Sequence, residues 1–550
     1  MASPAIRRLS VTLEQQKEFE KLSPFELKDK LIHLAGDASQ HSAQTMLNAG
    51  RGNPNWIATT PRNAFFTLGS FAVEESKRVW DLPDLGGMPQ KDGIAKRLAE
   101  FLKNNSKALG ASMLQAAVEY ATNELKLNAD SFVHELVDSI IGDQYPWPDR
   151  MLVNAERVAH AYLIQEMCGG HAPAGKFDIF AVEGGTAAMC YIFDSLAVNH
   201  LLHRGDKVAL AVPMFTPYLE VCALDRFNFD VVEINASEIS SIDGRHTWQY
   251  PDSEIDKLKD PDIKALFFVN PSNPPSVAMR DSSMKRLTDI IKTQHQDLIV
   301  VTDDVYGTFV PGFKSLMAEI PYNTIGVYSY SKYFGCTGWR LGVVAIHEEN
   351  IFDKKVANLP EDVRRGLNKR YGPLTLTPEK LKFIDRMVAD SRCVALNHTA
   401  GLSLPQQVQM TLFSLFALMD KDNRYKKLTK DIVNKRLKAL WKGMNLPLPD
   451  DPNRADYYAT LDLMVWAEKT HGPDFVKFLE KNYHPFDVLF ALAEKFSTVL
   501  LNGSGFAGPD WSVRVSLANL PDEAYGQIGQ QLSTVMQAAV NAWKGQSAAA

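Results

Sequence analysis

The chain has 550 residues, 45% apolar and 23% charged, a balance that suits a globular protein and excludes the fibrous and disordered classes. Its formal net charge of −6 provides no positive field to hold nucleic acid or anionic lipid, so neither is expected as a partner. At about 150 residues per domain the length leaves room for two or three compact units.

The N-terminus, MASPAIRRLSVTLEQQKEFE, lacks the continuous apolar stretch of a secretory signal, and no run of about 18 apolar residues occurs elsewhere. Five cysteines, Cys168, Cys190, Cys222, Cys336 and Cys393, show neither CxxC pairs nor disulfide-framework spacing, which fits a reducing compartment. A cytoplasmic protein that does not enter the membrane is the expectation.

Residues from Ser10 to Asn48 are charged and helical in character. Residues 95–141 carry apolar positions at helical spacing (Leu98, Phe101, Leu102; Leu114, Ala117, Val118) and predict helices outside any sheet. From about residue 175, short apolar runs alternate with longer amphipathic stretches, the pattern of strands joined by helical crossovers. Seven strands of one mostly parallel sheet are predicted: Phe177–Val182, Val208–Val212, Val231–Ile234, Ile263–Val269, Leu298–Thr302, Ile325–Ser329 and Gly342–Ile346. His200-x-x-His203 lacks further ligands at metal spacing, so it is read as a helix surface and no metal is expected.

Residues 350–400 are rich in Lys, Arg, Asp and Pro, and a long helical pattern from about 405 leads into a mixed region ending at Leu520. The fold class expected is α/β: a large sheet domain, a smaller α+β domain and extra helical insertions. The expected division is an N-terminal arm with a covering loop (1–60), a helical segment partly belonging to the small domain (61–145), the large domain with an insertion near 350–400 (146–400), and the C-terminal small domain (401–550).

The segment Ser329-Tyr-Ser331-Lys332-Tyr-Phe-Gly-Cys-Thr-Gly338-Trp-Arg340 lies between two predicted strands, where α/β sheets place their ligands. A lone lysine is more often solvated surface. Here the hydroxyls of Ser329 and Ser331 and the Arg340 guanidinium offer donors to a phosphate monoester, and the Lys332 amine can meet an aldehyde. Gly184-Gly185-Thr186 follows the first strand and opens a helix, so its backbone N–H groups and hydroxyl can hold the same phosphate.

Ser-x-x-Lys followed eight residues later by Arg resembles the aspartate aminotransferase superfamily, fold type I of the pyridoxal-phosphate enzymes. The resemblance runs from about Asn48 to Leu520 and implies pyridoxal 5′-phosphate bonded to Lys332. It implies further that Asp303 pairs with the pyridine nitrogen, that Tyr306 and Asn273 donate to the phenolate oxygen, and that Phe215 stacks on the ring. Arg514, in Trp-Ser-Val-Arg514-Val-Ser, matches the arginine that clamps the substrate α-carboxylate, beside Asn273. Tyr145 resembles the tyrosine that reaches the phosphate of the neighbouring subunit, which implies dimers with shared sites, assembled further into a larger homo-oligomer.

The length and the run Tyr328 to Ala345 are similar to the aspartate 4-decarboxylase branch, which implies conversion of L-aspartate to L-alanine and carbon dioxide with an aminotransferase side activity. A decarboxylase is expected to hold the distal carboxylate weakly, because a strong bidentate arginine would stabilise the charged ground state. Arg51, in the loop that covers the substrate in this family, is the candidate contact. The rival readings are an aspartate or aromatic aminotransferase and a non-catalytic regulator, the latter disfavoured because neither terminus shows a basic helix-turn-helix pattern. Gly503-Ser-Gly505-Phe-Ala-Gly508 spells GxGxxG, but Pro509 and Asp510 follow it in place of a helix, so dinucleotide binding is rejected.

Overall fold

Continuous runs of Val, Ile, Leu, Phe and Ala can be buried on both faces, and the computed structural model, which describes residues 11–41, 46–145, 150–241, 244–392 and 401–547, places all seven in one sheet. The strands are β1 (Phe177–Val182), β2 (Lys207–Val212), β3 (Asp230–Asn235), β4 (Ile263–Val269), β5 (Ile299–Asp303), β6 (Thr324–Ser329) and β7 (Gly342–His347). Their order is β1-β7-β6-β5-β4-β2-β3. Strand β7 runs antiparallel to both neighbours and the other pairs are parallel. Apart from Lys207, which is half-buried, and Lys264, which is exposed, every strand is buried along its length except β3, an edge strand whose Asp230 and Glu233 face outward and blunt the open edge.

The chain reaches the sheet through α1 (Pro24–His41), α2 (Thr59–Val79), α3 (Ile94–Asn104), α4 (Ala111–Asn123), α5 (Ala129–Ile141) and α6 (Val153–Met167). Helix α3 buries Ile94, Leu98 and Leu102, one per turn on a single face, and α5 starts where the Asn128 side chain accepts a hydrogen bond from Ser131 N. Within and after the sheet come α7 (Gly185–Val198), α8 (Thr216–Ala223), α9 (Asp281–Thr293) and α10 (Phe383–Arg392). One face of the sheet (Phe180, Val182, Val344, Ile346) packs on α7 and α10, and the other (Ile179, Ala181, Val343, Ala345) packs on α6.

The C-terminal part holds α11 (Leu404–Met419), α12 (Arg424–Gly443), β8 (Tyr458–Asp462), α13 (Asp487–Phe496), β9 (Leu501–Asn502), β10 (Ser512–Ser516) and α14 (Asp522–Ser547). Strands β9, β10 and β8 form an antiparallel sheet in that order. Its apolar cluster joins α12, α13 and α14 to Leu27, Leu31 and Ala35 of the N-terminal arm.

Three expectations need correction. No residue of 61–145 enters the C-terminal cluster; α2, α4 and α5 share a core with α6 and α11, so this segment extends the large unit. Helix α11 belongs to the large core, and the small one is first met inside α12, where Val433 faces the large core and Leu437 and Leu440 face the small one; Ala455, Tyr457 and Tyr458 touch the large core again. Residues 350–392 pack on the large unit, where Phe352, Leu367, Tyr371, Phe383 and Met387 cover one face of the sheet. His200 and His203 are not on a helix: α7 ends at Val198 and His200 takes a left-handed φ of 58° in the following turn.

Gly503 to Gly508 leads through one 3₁₀ turn into β10, as the sequence suggests. Cys168, Cys190, Cys222 and Cys336 are free thiols, whereas Cys393 lies outside the described residues. No helix among the described residues is long and apolar enough to cross a membrane.

Candidate active site

The carboxyl ends of the parallel strands converge on a cavity of about 290 Å³. Strand β1 delivers Gly184 and Gly185, β2 delivers Phe215, β4 delivers Asn273, β5 ends on Asp303, and β6 runs into Ser329, Ser331 and Lys332. Because β7 runs in the opposite sense, its amino end lies at the same edge and brings Arg340 there. The small sheet contributes Tyr458 and Arg514, and the N-terminal loop contributes Gly52 and Asn53.

Gly184 has a φ of 92°, and a Cβ there would lie 2.5 Å from Arg340 Nη2, so only glycine permits this approach. Gly185 opens α7, so the helix amino end, Thr186, Ser329, Ser331 and Arg340 surround one corner of the cavity with donors. Ser329 Oγ lies 3.0 Å from Ser331 Oγ. That corner suits a dianionic phosphate.

Asp303 is buried and accepts hydrogen bonds from the Tyr218 hydroxyl and, at 3.1 Å, from Val305 N. Burial pushes its carboxyl above the usual range, and the Tyr218 and Val305 donations and the Lys332 charge only partly oppose this. A cationic ring N–H placed in the cavity would supply the missing counter-charge. Its neighbour Asp304 accepts from Thr302 Oγ1 at 2.8 Å and from Ser315 Oγ, and burial pushes it up to about 7.

Arg514 is 1% exposed, yet none of the ion pairs among the described residues includes it. Its Nη1 donates to Asn273 Oδ1 at 3.3 Å, its Nη2 donates to Gly50 O at 2.9 Å, and its buried Nε has no hydrogen-bond partner. The guanidinium carbon lies 4.3 Å from the Tyr458 ring centroid and 5.0 Å from that of Phe506. Burial lowers the Arg514 pKa, the cost of a cation held without an anion. An incoming carboxylate would complete it through two parallel hydrogen bonds.

Tyr306 donates to Tyr458 at 3.0 Å. For Tyr458, burial raises the pKa, but Lys332, Arg514 and the Tyr306 donation outweigh it and leave the phenol below its ordinary value. Lys332 Nζ donates to Gly52 O at 2.9 Å.

Of the residues singled out in the sequence, Gly185, Thr186, Phe215, Asn273, Asp303, Tyr306, Ser329, Ser331, Lys332, Arg340 and Arg514 line this one cavity, and Gly184 adjoins it. Two stand apart: Arg51 is exposed beside Gly52 and does not line the cavity, and Tyr145 is 68% exposed outside it. Sequence reasoning missed Tyr218 and Tyr458. Tyr218 lies three residues after Phe215, one helical turn along, and Tyr458 begins the strand that pairs with the one carrying Arg514; each spacing is a usable signal. A separate cavity of about 310 Å³ beside Trp248, Trp441 and Trp466 is mainly apolar and holds none of these groups.

The family described as aminotransferase class I and II matches residues 182–391, from the last residue of β1 through the other six strands of the sheet and into α10. A bifunctional aspartate aminotransferase and L-aspartate beta-decarboxylase from a Pseudomonas species is 47% identical over 518 residues, covering 94% of this chain and 96% of that protein. A tyrosine aminotransferase from Dictyostelium discoideum is 30% identical over 185 residues, 32% of this chain and 40% of that one. In fold, the chain is similar to a Thermus thermophilus aspartate aminotransferase double mutant, with a TM-score of 0.55 at 14% identity over 97% of this chain and 99% of that one. It is similar also to an aromatic aminotransferase from Pyrococcus horikoshii, with a TM-score of 0.55 at 16% identity over 92% and 98% of the two chains. With its sheet, its cavity and a relative of this identity along nearly its whole length, the chain belongs to the class I and II aminotransferase family.

Proposed function

We propose that the protein is a pyridoxal-phosphate-dependent lyase that converts L-aspartate and a proton to L-alanine and carbon dioxide, with amino transfer from aspartate as a second activity of the same site. The observation that carries this reading is the buried Arg514 guanidinium, without a carboxylate partner, sharing a cavity with Lys332 and Asp303. The bifunctional Pseudomonas relative supports the pairing of the two activities.

Pyridoxal 5′-phosphate, when bound, supplies an electron sink that accepts the pair released as a bond at Cα or Cβ breaks. Asp303 would hold the ring nitrogen protonated, and the Tyr218 donation keeps that carboxylate in place. Phe215 would lie against the ring, with Tyr306 and Asn273 as donors to its phenolate oxygen. Gly184, Gly185, Thr186, Ser329, Ser331 and Arg340 would hold the phosphate. Lys332 would carry the covalent bond to the cofactor and, once displaced by substrate, take the Cα proton at Nζ and return it. Arg514 would bind the α-carboxylate and so fix which end of aspartate faces Lys332.

The distal carboxylate meets a weaker environment. Among the described residues, the cations lining the cavity are Lys332, Arg340 and Arg514, each with another role, and Arg51 stands outside as a solvated contact at the loop. A charge left loosely held is the one whose loss as neutral carbon dioxide is least opposed. Two copies would associate so that Tyr145 of each reaches the partner's phosphate site, within a larger homo-oligomer.

The test supplies aspartate and pyridoxal phosphate without an oxo acid and measures alanine, oxaloacetate and carbon dioxide together. Sustained alanine with equimolar carbon dioxide is expected. A single stoichiometric burst of oxaloacetate would make the protein an aminotransferase alone.

A further inference from the structure

The loop that roofs the cavity is pinned at both ends. Ala49 N donates to Val499 O at 2.9 Å and Ala49 O accepts from Ser516 N at 2.8 Å. Beyond the roof, Asn55 N donates to Ala518 O at 2.8 Å and Asn55 Oδ1 accepts from Arg436 Nη2 at 3.0 Å. Between these anchors, the carbonyls of Gly50 and Gly52 take three donors. Arg514 Nη2 reaches Gly50 O at 2.9 Å, and Lys332 Nζ and the Tyr457 hydroxyl both reach Gly52 O at 2.9 Å.

On the proposed function, on which this inference rests, two of those donors are needed elsewhere once the site is loaded. Lys332 is committed to the cofactor and then to a proton, and Arg514 turns to the substrate carboxylate. Tyr457 has no such second task. It stands behind the cavity wall, fully buried, with its backbone N donating to Ser276 Oγ at 3.0 Å. Its ring packs edge-on to Trp56 at 6.0 Å and Phe309 at 5.3 Å, so the hydroxyl is aimed at Gly52 by fixed neighbours.

Little space separates roof from floor: a Cβ on Gly52 would lie 2.7 Å from the Tyr458 hydroxyl and 3.2 Å from Lys332 Nζ. A roof this close leaves no room for water between Gly52 and Lys332, and the two activities differ in water. Releasing the oxo acid of aspartate consumes one water molecule, whereas replacing the β-carboxylate by a proton consumes none.

We infer that Tyr457 is a positioning residue that keeps Gly50–Asn53 closed over the loaded cavity through Gly52 O, and thereby sets the split between decarboxylation and amino transfer. The experiment compares wild type with Tyr457→Phe as full-length, pyridoxal-phosphate-loaded protein. Amide hydrogen exchange across residues 50–53 is expected to quicken by about fivefold, the effect of one neutral hydrogen bond, and the ratio of alanine to oxo acid to fall by a similar factor.

Because the ring is retained, the core stays filled. As a second measurement, Lys332→Ala is compared with the Lys332→Ala, Tyr457→Phe double variant by exchange alone; faster exchange in the double variant supports the role. Unchanged exchange and an unchanged product ratio in Tyr457→Phe overturn the inference, and leave the proposed function standing if wild type makes alanine. Should wild type make none, the proposed function falls, and the exchange comparison still decides whether Tyr457 holds the loop.

Discussion

The floor and the roof of the cavity are held by different means. On the floor, Asp303 and Ser329 end strands paired on both sides within a sheet buried on both faces, so the ladder fixes them before any ligand arrives. Over the roof, Gly50–Asn53 form no ladder and are held through two carbonyls by side-chain donors. On the proposed function, groups that must not shift while electrons move sit on the rigid element, and the segment that must admit a substrate sits on exchangeable bonds.

The sharpest way to break this contrast is at Lys332. Lys332→Ala is expected to lower turnover of aspartate by about 10³-fold or more, because the proposed nucleophile and proton carrier vanish together, while the fold persists. Turnover and the absorbance of the bound cofactor check this, and a variant within tenfold of wild type would mean that the chemistry lies elsewhere. Next comes Arg514→Lys, which keeps the charge but loses the fork that can meet a carboxylate through two bonds. A fall in kcat/KM of about 100-fold, carried mainly by KM, is expected from steady-state kinetics. An effect confined to kcat would assign Arg514 to the reacting atoms and not to anchoring.

Most of the floor was legible in the sequence and much of the roof was not. The seven strands read as mostly apolar runs, broken by Asp178, Glu233 and Lys264, because all but the edge strand β3 are largely covered on both faces, and the structure moves their ends by a residue or so. Asp303, Lys332 and Arg340 could be placed because each follows or precedes such a run. Arg514 was conspicuous as a charge between two valines. Tyr457 carried no comparable sign, since an aromatic residue just before a strand reads as core until its partners are known. Residues 350–392 concealed their role because Phe352, Leu367, Tyr371 and Phe383 are spread among Lys, Arg and Asp, and only one helical face needs to be apolar. The turn at His200 was hidden because its left-handed backbone is uncommon outside glycine.

A smaller change tests the floor's electrostatics. Tyr218→Phe removes the hydroxyl donation that holds Asp303 down, so the carboxyl rises further and its pairing with a ring N–H weakens. About tenfold weaker retention of pyridoxal phosphate is expected, measured by dialysis and reconstitution. Unchanged retention would mean that Val305 N and burial alone fix Asp303.

The smallest effect is expected one residue on, and it concerns stability alone. Asp304 is held in the folded protein at about 7, against 3.8 ordinarily, because burial disfavours its charged form. The native state therefore keeps a proton that the unfolded chain gives up, so stability is fully present below about pH 4 and is lost as pH rises towards 7, by about 4 kcal/mol at most. Asp304→Asn cannot ionise and escapes that loss, although its NH2 must turn one of the two hydroxyls, Thr302 or Ser315, from donor to acceptor, which offsets most of the gain. A net stabilisation of about 1 kcal/mol at pH 8, and a net destabilisation of about 2 kcal/mol at pH 5, are expected from thermal unfolding at the two pH values. A variant equally destabilised at both would show that Asp304 serves the floor through its hydrogen bonds and that its charge is immaterial.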